Sequence, residues 1–322
     1  MFSRITSRRL APAVLAVFLA TPFALIPVPA RACSACGCNL DTDEAGSPVG
    51  WSVDERVDYV NQNALWLGGG TAPPQKPTVV EVQRNTTTIY YTTTIDYQSD
   101  KPWGVNVAVP AQYRTHSTEN DTVDAIASKS SWNALGDMRA LGRYALPLGQ
   151  EVVVNLLLGV KLPTGQTNRG FSGGPTAGNA VDRGLQPGSG TWDTLLGLNQ
   201  SGKFTDKLGW FSQQLWQRPI ARYQGFSEGQ KINGSVGVRY TMNDTFTPQL
   251  QLNGQYRFRD KGVNADIPNS GGNVVYASPG LFVNVRADTT VYGFVQIPVY
   301  QRVGGLELVP DYSASFGIKY KF

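Results

Sequence analysis

The chain is poor in the residues that carry most site chemistry. It has one His, three Cys and three Met in 322 residues. The single histidine, His116, stands beside Ser117 at the edge of a loop. A lone loop-edge histidine is ordinarily solvated or hydrogen-bonded, and gives no support to a Ser–His pair. Gly170-Phe171-Ser172-Gly173-Gly174 matches the nucleophile-elbow pattern in letters only. Its flanks are loop-like, where an elbow needs a strand before and a helix after. A phosphate-binding loop is missing, and so is a solenoid repeat. Past the first 32 residues no run of about 18 apolar residues occurs, which excludes a spanning helix. Helical spacing of apolar residues is also lacking there. These absences point away from an enzyme.

Excess charge is lacking too. Met1 to Ala32 reads as a secretory signal peptide: Arg4, Arg8 and Arg9 lead an apolar stretch, and Ala30-Arg31-Ala32 fits the cleavage rule. Lipidation of Cys33 is the alternative, disfavoured by Ala30 and Arg31 at positions where such sites carry other residues. The 28 Lys+Arg lose those four arginines with the signal, leaving 24 against 24 Asp+Glu. A mature chain of zero net charge has no basic field for nucleic acid.

What the chain has is two-residue alternation. From Pro310 to Phe322 every second residue is apolar or aromatic: Pro310, Tyr312, Ala314, Phe316, Ile318, Tyr320 and Phe322. Between them stand Asp311, Ser313, Ser315, Gly317, Lys319 and Lys321. Side chains alternate across a strand, so one face is greasy and the other wet. Such a strand suits a closed barrel with lipid outside and a polar lumen inside. A terminal aromatic resembles the assembly signal of outer-membrane proteins, which makes the barrel-assembly machinery an expected partner. The pattern recurs in Val152 to Leu162, Phe246 to Phe258, Ile232 to Met242 and Val105 to Tyr113.

Twelve strands are expected, near 51–61, 80–98, 103–115, 132–147, 151–163, 190–201, 209–223, 230–242, 246–260, 273–287, 290–302 and 308–322. Short connections alternate with longer ones at 62–79, 116–131, 164–189 and 261–272. That is the outer-membrane signature of short periplasmic turns and long outer loops. The expected fold class is an all-β transmembrane antiparallel up-and-down barrel. It would occupy 51–322, behind a periplasmic segment at 33–50, with outer-membrane lipid around it.

Several motifs carry a family resemblance. They are Asp96-Tyr97 with Trp103-Gly104-Val105-Asn106 and Pro110; Gly136-Asp137 with Gly142-Arg143-Tyr144; Gly159-Val160-Lys161-Leu162-Pro163-Thr164-Gly165; and Leu185-Gln186-Pro187-Gly188-Ser189-Gly190-Thr191-Trp192-Asp193. Through them the chain resembles the outer-membrane proteins named for phenol degradation by the meta pathway (MetA, transporter-like). The resemblance covers most of 51–322. It implies a barrel and transport, without naming a solute.

The wet faces are rich in arginine. Arg114, Arg139, Arg143, Arg218, Arg222, Arg239, Arg257, Arg259 and Arg286 are the candidate lumen and selectivity residues, with Arg56 and Arg302 beside them. The acids expected on that face are fewer: Asp54, Asp58, Asp96, Asp137, Glu151, Asp193 and Asp311. Two readings stand. The arginines pair with carboxylates and stiffen a narrow barrel, or their surplus favours anionic solutes. Arg257 and Arg259 stand on a strand whose other wet-face residues are neutral, so they are expected to lack compensation within it. Loop 164–189 is the expected mouth or constriction.

Cys33, Cys36 and Cys38 form the other candidate site. Three thiols cannot all pair internally. A Cys33–Cys36 disulfide with an exchangeable Cys38 is one expectation. Ligation of copper as Cu(I) by three thiolates is the other. Either implies a periplasmic redox or metal-transfer partner. The sequence as a whole points to a porin-like channel for a small solute, or to a barrel that presents this cysteine segment.

Overall fold

The computed structural model describes residues 49–73, 82–119, 127–146 and 152–322. The signal peptide, Cys33, Cys36, Cys38, the turn at Leu148 to Gln150 and Glu151 lie outside the described residues.

The described residues form a closed antiparallel barrel of 12 staves, with a single 3-10 turn as their helical content. They are β1 (Gly50–Leu67), β2 (Val82–Gln98), β3 (Trp103–Glu119), β4, β5 (Val152–Lys161), β6 (Asp193–Lys203), β7 (Leu208–Pro219), β8 (Lys231–Tyr240), β9 (Phe246–Arg257), β10 (Gly272–Asn284), β11 (Thr289–Val303) and β12 (Leu306–Lys321). β4 runs in two pieces, Ala127–Leu135 and Arg139–Leu146, and both pair β3. Each stave pairs its neighbour in sequence, and β12 closes on β1 with register pairs from Ser52–Lys321 to Leu67–Leu306. Closure satisfies the backbone groups that an open edge would leave bare.

Alternation decides which face turns in. On β9, Gln249, Gln251, Asn253 and Gln255 are buried while Leu250 and Leu252 are exposed. On β12, Ser313, Ser315 and Lys319 are buried and Phe316, Ile318 and Tyr320 exposed. Gln251 is 1% exposed and Leu158 of β5 is 61% exposed. Polar inside and apolar outside is the reverse of a protein surrounded by water. At the short-turn end the outer face carries an aromatic girdle. Its Trp51, Tyr97 and Trp103 rings lie 4.9 and 5.6 Å apart between centroids.

The wall is uneven in height. The β5–β6 ladder ends at Lys161–Asp193, while the β2–β3 and β3–β4 ladders continue to Val82–Glu119 and Glu119–Ala127. The outer face of this extension is polar, with Thr87, Asn85, Thr115, Ser117, Asn133 and Ser131. The expected strand ends at 61 and 115 fall short for that reason. Beyond the apolar belt the greasy face stops, although the ladder goes on to Leu67 and Glu119.

Candidate functional site

The connection from β5 to β6 turns into the barrel. Its residues 162–192 contain only a single 3-10 turn, Arg183–Leu185, and no strand. Arg114 on the inner face of β3 donates to the Leu185 carbonyl at 2.5 Å. It also donates to Thr88 at 2.9 Å and to the Tyr90 hydroxyl at 3.0 Å. Above it, Trp132 of β4 packs with Phe171, Val181 and Leu185 of the loop in a buried apolar cluster. Backbone bonds between Lys129 and Gly173 tie the loop to β4, whose upper piece pairs with β3 alone.

Asp137 holds the base of this loop. It interrupts β4 and accepts four bonds: Gly165 N, Ser189 N and Ser189 Oγ at 2.9 Å each, and Lys161 Nζ at 3.0 Å. Lys161 also pairs with Asp193 at 3.1 Å and bonds to Ser189 Oγ. Thr164 Oγ1 donates to the Gly136 carbonyl at 3.0 Å and accepts from Met138 N at 2.9 Å. Gly165 and Gly188 pass so closely that a Cβ on Gly188 would lie 2.5 Å from the Gly165 backbone. The Gly-Asp, Lys-Leu-Pro-Thr-Gly and Gln-Pro-Gly-Ser-Gly-Thr-Trp-Asp motifs therefore meet at one point. Two carboxylates around one ammonium leave a negative excess, and Arg139 lies in the field of Asp193, Glu228 and Asp137.

Beneath the loop is a cavity of about 280 Å³ within the lumen. Its lining includes five cations, Arg56, Arg114, Arg139, Lys161 and Lys231, against three carboxylates, Asp58, Asp137 and Glu228. Arg56 pairs with Asp58 at 3.0 Å and Lys231 with Glu228 at 2.9 Å. Burial alone would raise the Glu228 carboxyl; Lys231, then Lys161 and Arg257, more than offset that and hold it below the usual carboxylate range. Its stabilising contribution is therefore present above the unfolded carboxylate value and is lost only as pH falls through the depressed folded one. Arg114 faces neutral partners, and among the described residues Arg139 makes no hydrogen bond or ion pair. Arg139 offsets the negative excess of Asp137 and Asp193 around Lys161, so Arg114 is the cation in this lining whose hydrogen-bond partners are all neutral.

The other expected arginines separate into groups. Arg143 grips Asp96 with both terminal nitrogens, one of them 2.8 Å from Oδ2, and donates to Gln98 at 2.9 Å. Arg239 faces inward and lies over the Phe211 ring at 4.6 Å. Arg257 is buried and pairs with Asp260 at 2.6 Å, just beyond the end of β9. Its charge is thus compensated, contrary to the expectation for that strand. Arg259 follows the strand in the connection to β10. Arg218, Arg222 and Arg286 do not belong to the lumen. Arg218 lies on the outer face beside the Trp216 ring, and Arg222 and Arg286 are exposed in connections. β7 misleads because Phe211 and Leu215 turn inward, so apolar residues occupy both of its faces. Arg302 and Asp311 are exposed as well. Lys161, Glu228 and Lys231 were not among the expected lumen residues. Parity against Val160 would have found Lys161, but Glu228 lies in a connection, where parity says nothing.

Ser172 Oγ donates to the Lys129 carbonyl at 3.2 Å, while His116 Nδ1 is engaged by Thr86 Oγ1 at 2.8 Å. The two side chains have separate partners.

No protein-family model matches the chain, and no curated protein matches it in sequence. Solved structures do match its fold. An outer-membrane channel from Pseudomonas putida F1 superposes with a TM-score of 0.64 at 11% identity, over 88% of this chain and 100% of that one. The NanC porin matches with a TM-score of 0.48 at 12% identity, over 84% of this chain and 100% of that one. The toluene transporter TbuX of Ralstonia pickettii matches at 0.42 and 9% identity, over 86% and 91%.

Proposed function

We propose that this barrel is a narrow outer-membrane channel for a small polar solute, with a preference for anions. The observation that carries the reading is the cavity under loop 164–189, where Arg114 lines the lumen with only neutral hydrogen-bond partners. Positive charge in a confined, low-dielectric passage lowers the barrier to anions and raises it to cations. The loop narrows the lumen and sets the size limit. The apolar outer belt and aromatic girdle support a bilayer location, and the family resemblance of the loop-base motifs supports transport. The passage couples to no energy source in this reading. Planar-bilayer recording across a salt gradient tests it. Small conductance steps with an anion-selective reversal potential are expected, and cation selectivity overturns the anion preference. An epitope inserted at Ala177 should be reachable on intact cells, and one at Asn243 should not.

The start of β1 at the short-turn end favours a second reading, since Cys33, Cys36 and Cys38 precede it by roughly a dozen residues. At up to about 3.4 Å per residue such a tether reaches roughly 40 Å. That would present the thiols to a periplasmic partner for Cu(I) binding or disulfide exchange. One free thiol when oxidised and one bound copper when reduced would support it.

A further inference from the structure

The outer face of β1 reads Trp51, Val53, Glu55, Val57, Tyr59. Glu55 is exposed and stands midway between the aromatic Trp51 and Tyr59 that mark the belt's two edges. Among the described residues it is the one carboxyl group at the middle of the apolar belt. Its Oε2 accepts from Thr93 Oγ1 of β2 at 2.9 Å. A carboxyl group facing hydrocarbon at mid-depth is costly, and one hydrogen bond leaves most of its acceptor capacity unused. Such a residue persists where something polar meets it.

The molecule carries a matching group. The outer face of β7 reads Trp210, Ser212, Gln214, Trp216, and Gln214 is exposed. Gln214 Nε2 donates to Ser212 Oγ at 2.5 Å. Its second N–H and its carbonyl oxygen remain to face outward. Glu55 is the third outward residue of β1 and Gln214 the fourth of β7, and each stands two outward steps beyond a tryptophan, Trp51 and Trp210. They therefore lie within about one outward step of the same depth. In a closed ring of 12 staves β1 and β7 stand on opposite sides. A carboxyl and a carboxamide are complementary in either protonation state. The amide N–H donates to a carboxyl oxygen, and a protonated carboxyl donates to the amide oxygen.

We propose that copies of this chain associate in the membrane through a heterologous contact, Glu55 of one barrel meeting Gln214 of the next. The occupant is a second copy, because the same chain supplies both halves of the pair at closely similar depth. A heterologous contact between opposite faces does not close on itself. It produces rows of barrels. Polar side chains packed across a lipid-embedded interface stabilise association in this way. The inference rests on the bilayer placement proposed above.

The test uses the full chain with Cys33, Cys36 and Cys38 replaced by Ser. Val53→Cys and Ser212→Cys lie one step toward the turns from the proposed pair and leave Glu55 and Gln214 in place. Oxidising membranes that carry the double variant should give a ladder of dimers, trimers and larger species, while each single variant stays monomeric. Dimers from Val53→Cys alone, or a folded double variant that remains monomeric, overturn the proposal. In chains without added cysteines, Glu55→Leu should lower lateral association by about tenfold and Glu55→Gln should retain it. Equal association of wild type and Glu55→Leu overturns the proposal as well. A barrel that does not fractionate with the outer membrane overturns the bilayer placement and this inference with it.

Discussion

Along β3–β6 the lumen wall carries Arg114, Asp137, Lys161 and Asp193. Along β8–β11 the mid-strand inward positions include Asn233, Gln251, Asn253 and Gln296, with the cations Lys231, Arg239 and Arg257 kept to the strand ends. Both flanks are buried and polar, yet they do different things. The ionic flank holds a loop of irregular backbone inside the barrel, and Asp137 alone satisfies two loop N–H groups there. The amide flank bonds stave to stave: Gln255 to Asn233 at 2.8 Å, and Asn253 to Ser278 at 2.9 Å and to Gln296 at 3.1 Å. Buried charges are costly unless paired, so they stand where geometry must be fixed. Carboxamides donate and accept, and fill a regular wall at lower cost.

The sharpest way to break this contrast is Asp137→Ala. It leaves two loop N–H groups without their acceptor and Lys161 with Asp193 as its one carboxylate, and breaking a buried pair costs up to about 3–5 kcal/mol. Loop 164–189 should leave the lumen while the staves persist. Trypsin should then cut at Arg169 or Arg183 in barrels that still shift mobility on heating, and conductance should rise. Continued resistance to trypsin would mean that the Asp137 cluster does not hold the loop.

Arg114→Gln should have the next largest effect. It removes a cation whose partners are neutral, and should move the reversal potential toward cations. The double variant Arg257→Gln with Asp260→Asn removes a neutral pair and should leave the potential where it was. If both variants behave alike, pairing does not decide which charges the solute meets.

How much was legible beforehand follows the same division. Staves have a period of two, so their number, order and inward face could be read from positions such as Gln249 to Gln255. The loop has no period. Nothing local in Leu185 or Ser189 says that Arg114 and Asp137 will meet them from other staves. Asp260 was missed as the partner of Arg257 because it stands past the strand, where alternation no longer assigns a face.

Asn253→Ala on the amide flank should be milder. It removes two buried hydrogen bonds, at a cost of about 1–3 kcal/mol, and leaves selectivity unchanged. Denaturant midpoint and reversal potential, measured together, should separate the two. A shift in potential would show that this flank also filters ions.

The smallest effect is expected from Arg218→Gln and Arg286→Gln. Each removes a charge that lies outside the lumen, so neither should alter reversal potential at moderate salt. A shift from Arg218→Gln comparable to that from Arg114→Gln would place its charge on the solute's path.

The β1–β12 seam bears on how the barrel comes into being. Every other stave pairs with its neighbour in sequence, and each such hairpin can form as the chain is delivered. The seam joins Trp51 to Phe322 through reciprocal backbone bonds of 3.0 and 3.2 Å. Its strands lie at opposite ends of the barrel sequence, so pairing them without the intervening hairpins would close a loop of roughly 270 residues. The entropy of that closure is on the order of 5 kcal/mol for a flexible chain. Sequential hairpins remove most of that cost by carrying β12 round to β1. The ring then shuts in one late step, along a ladder that runs from Ser52–Lys321 to Leu67–Leu306, and a partly built sheet meets lipid with two unsatisfied edges until it does.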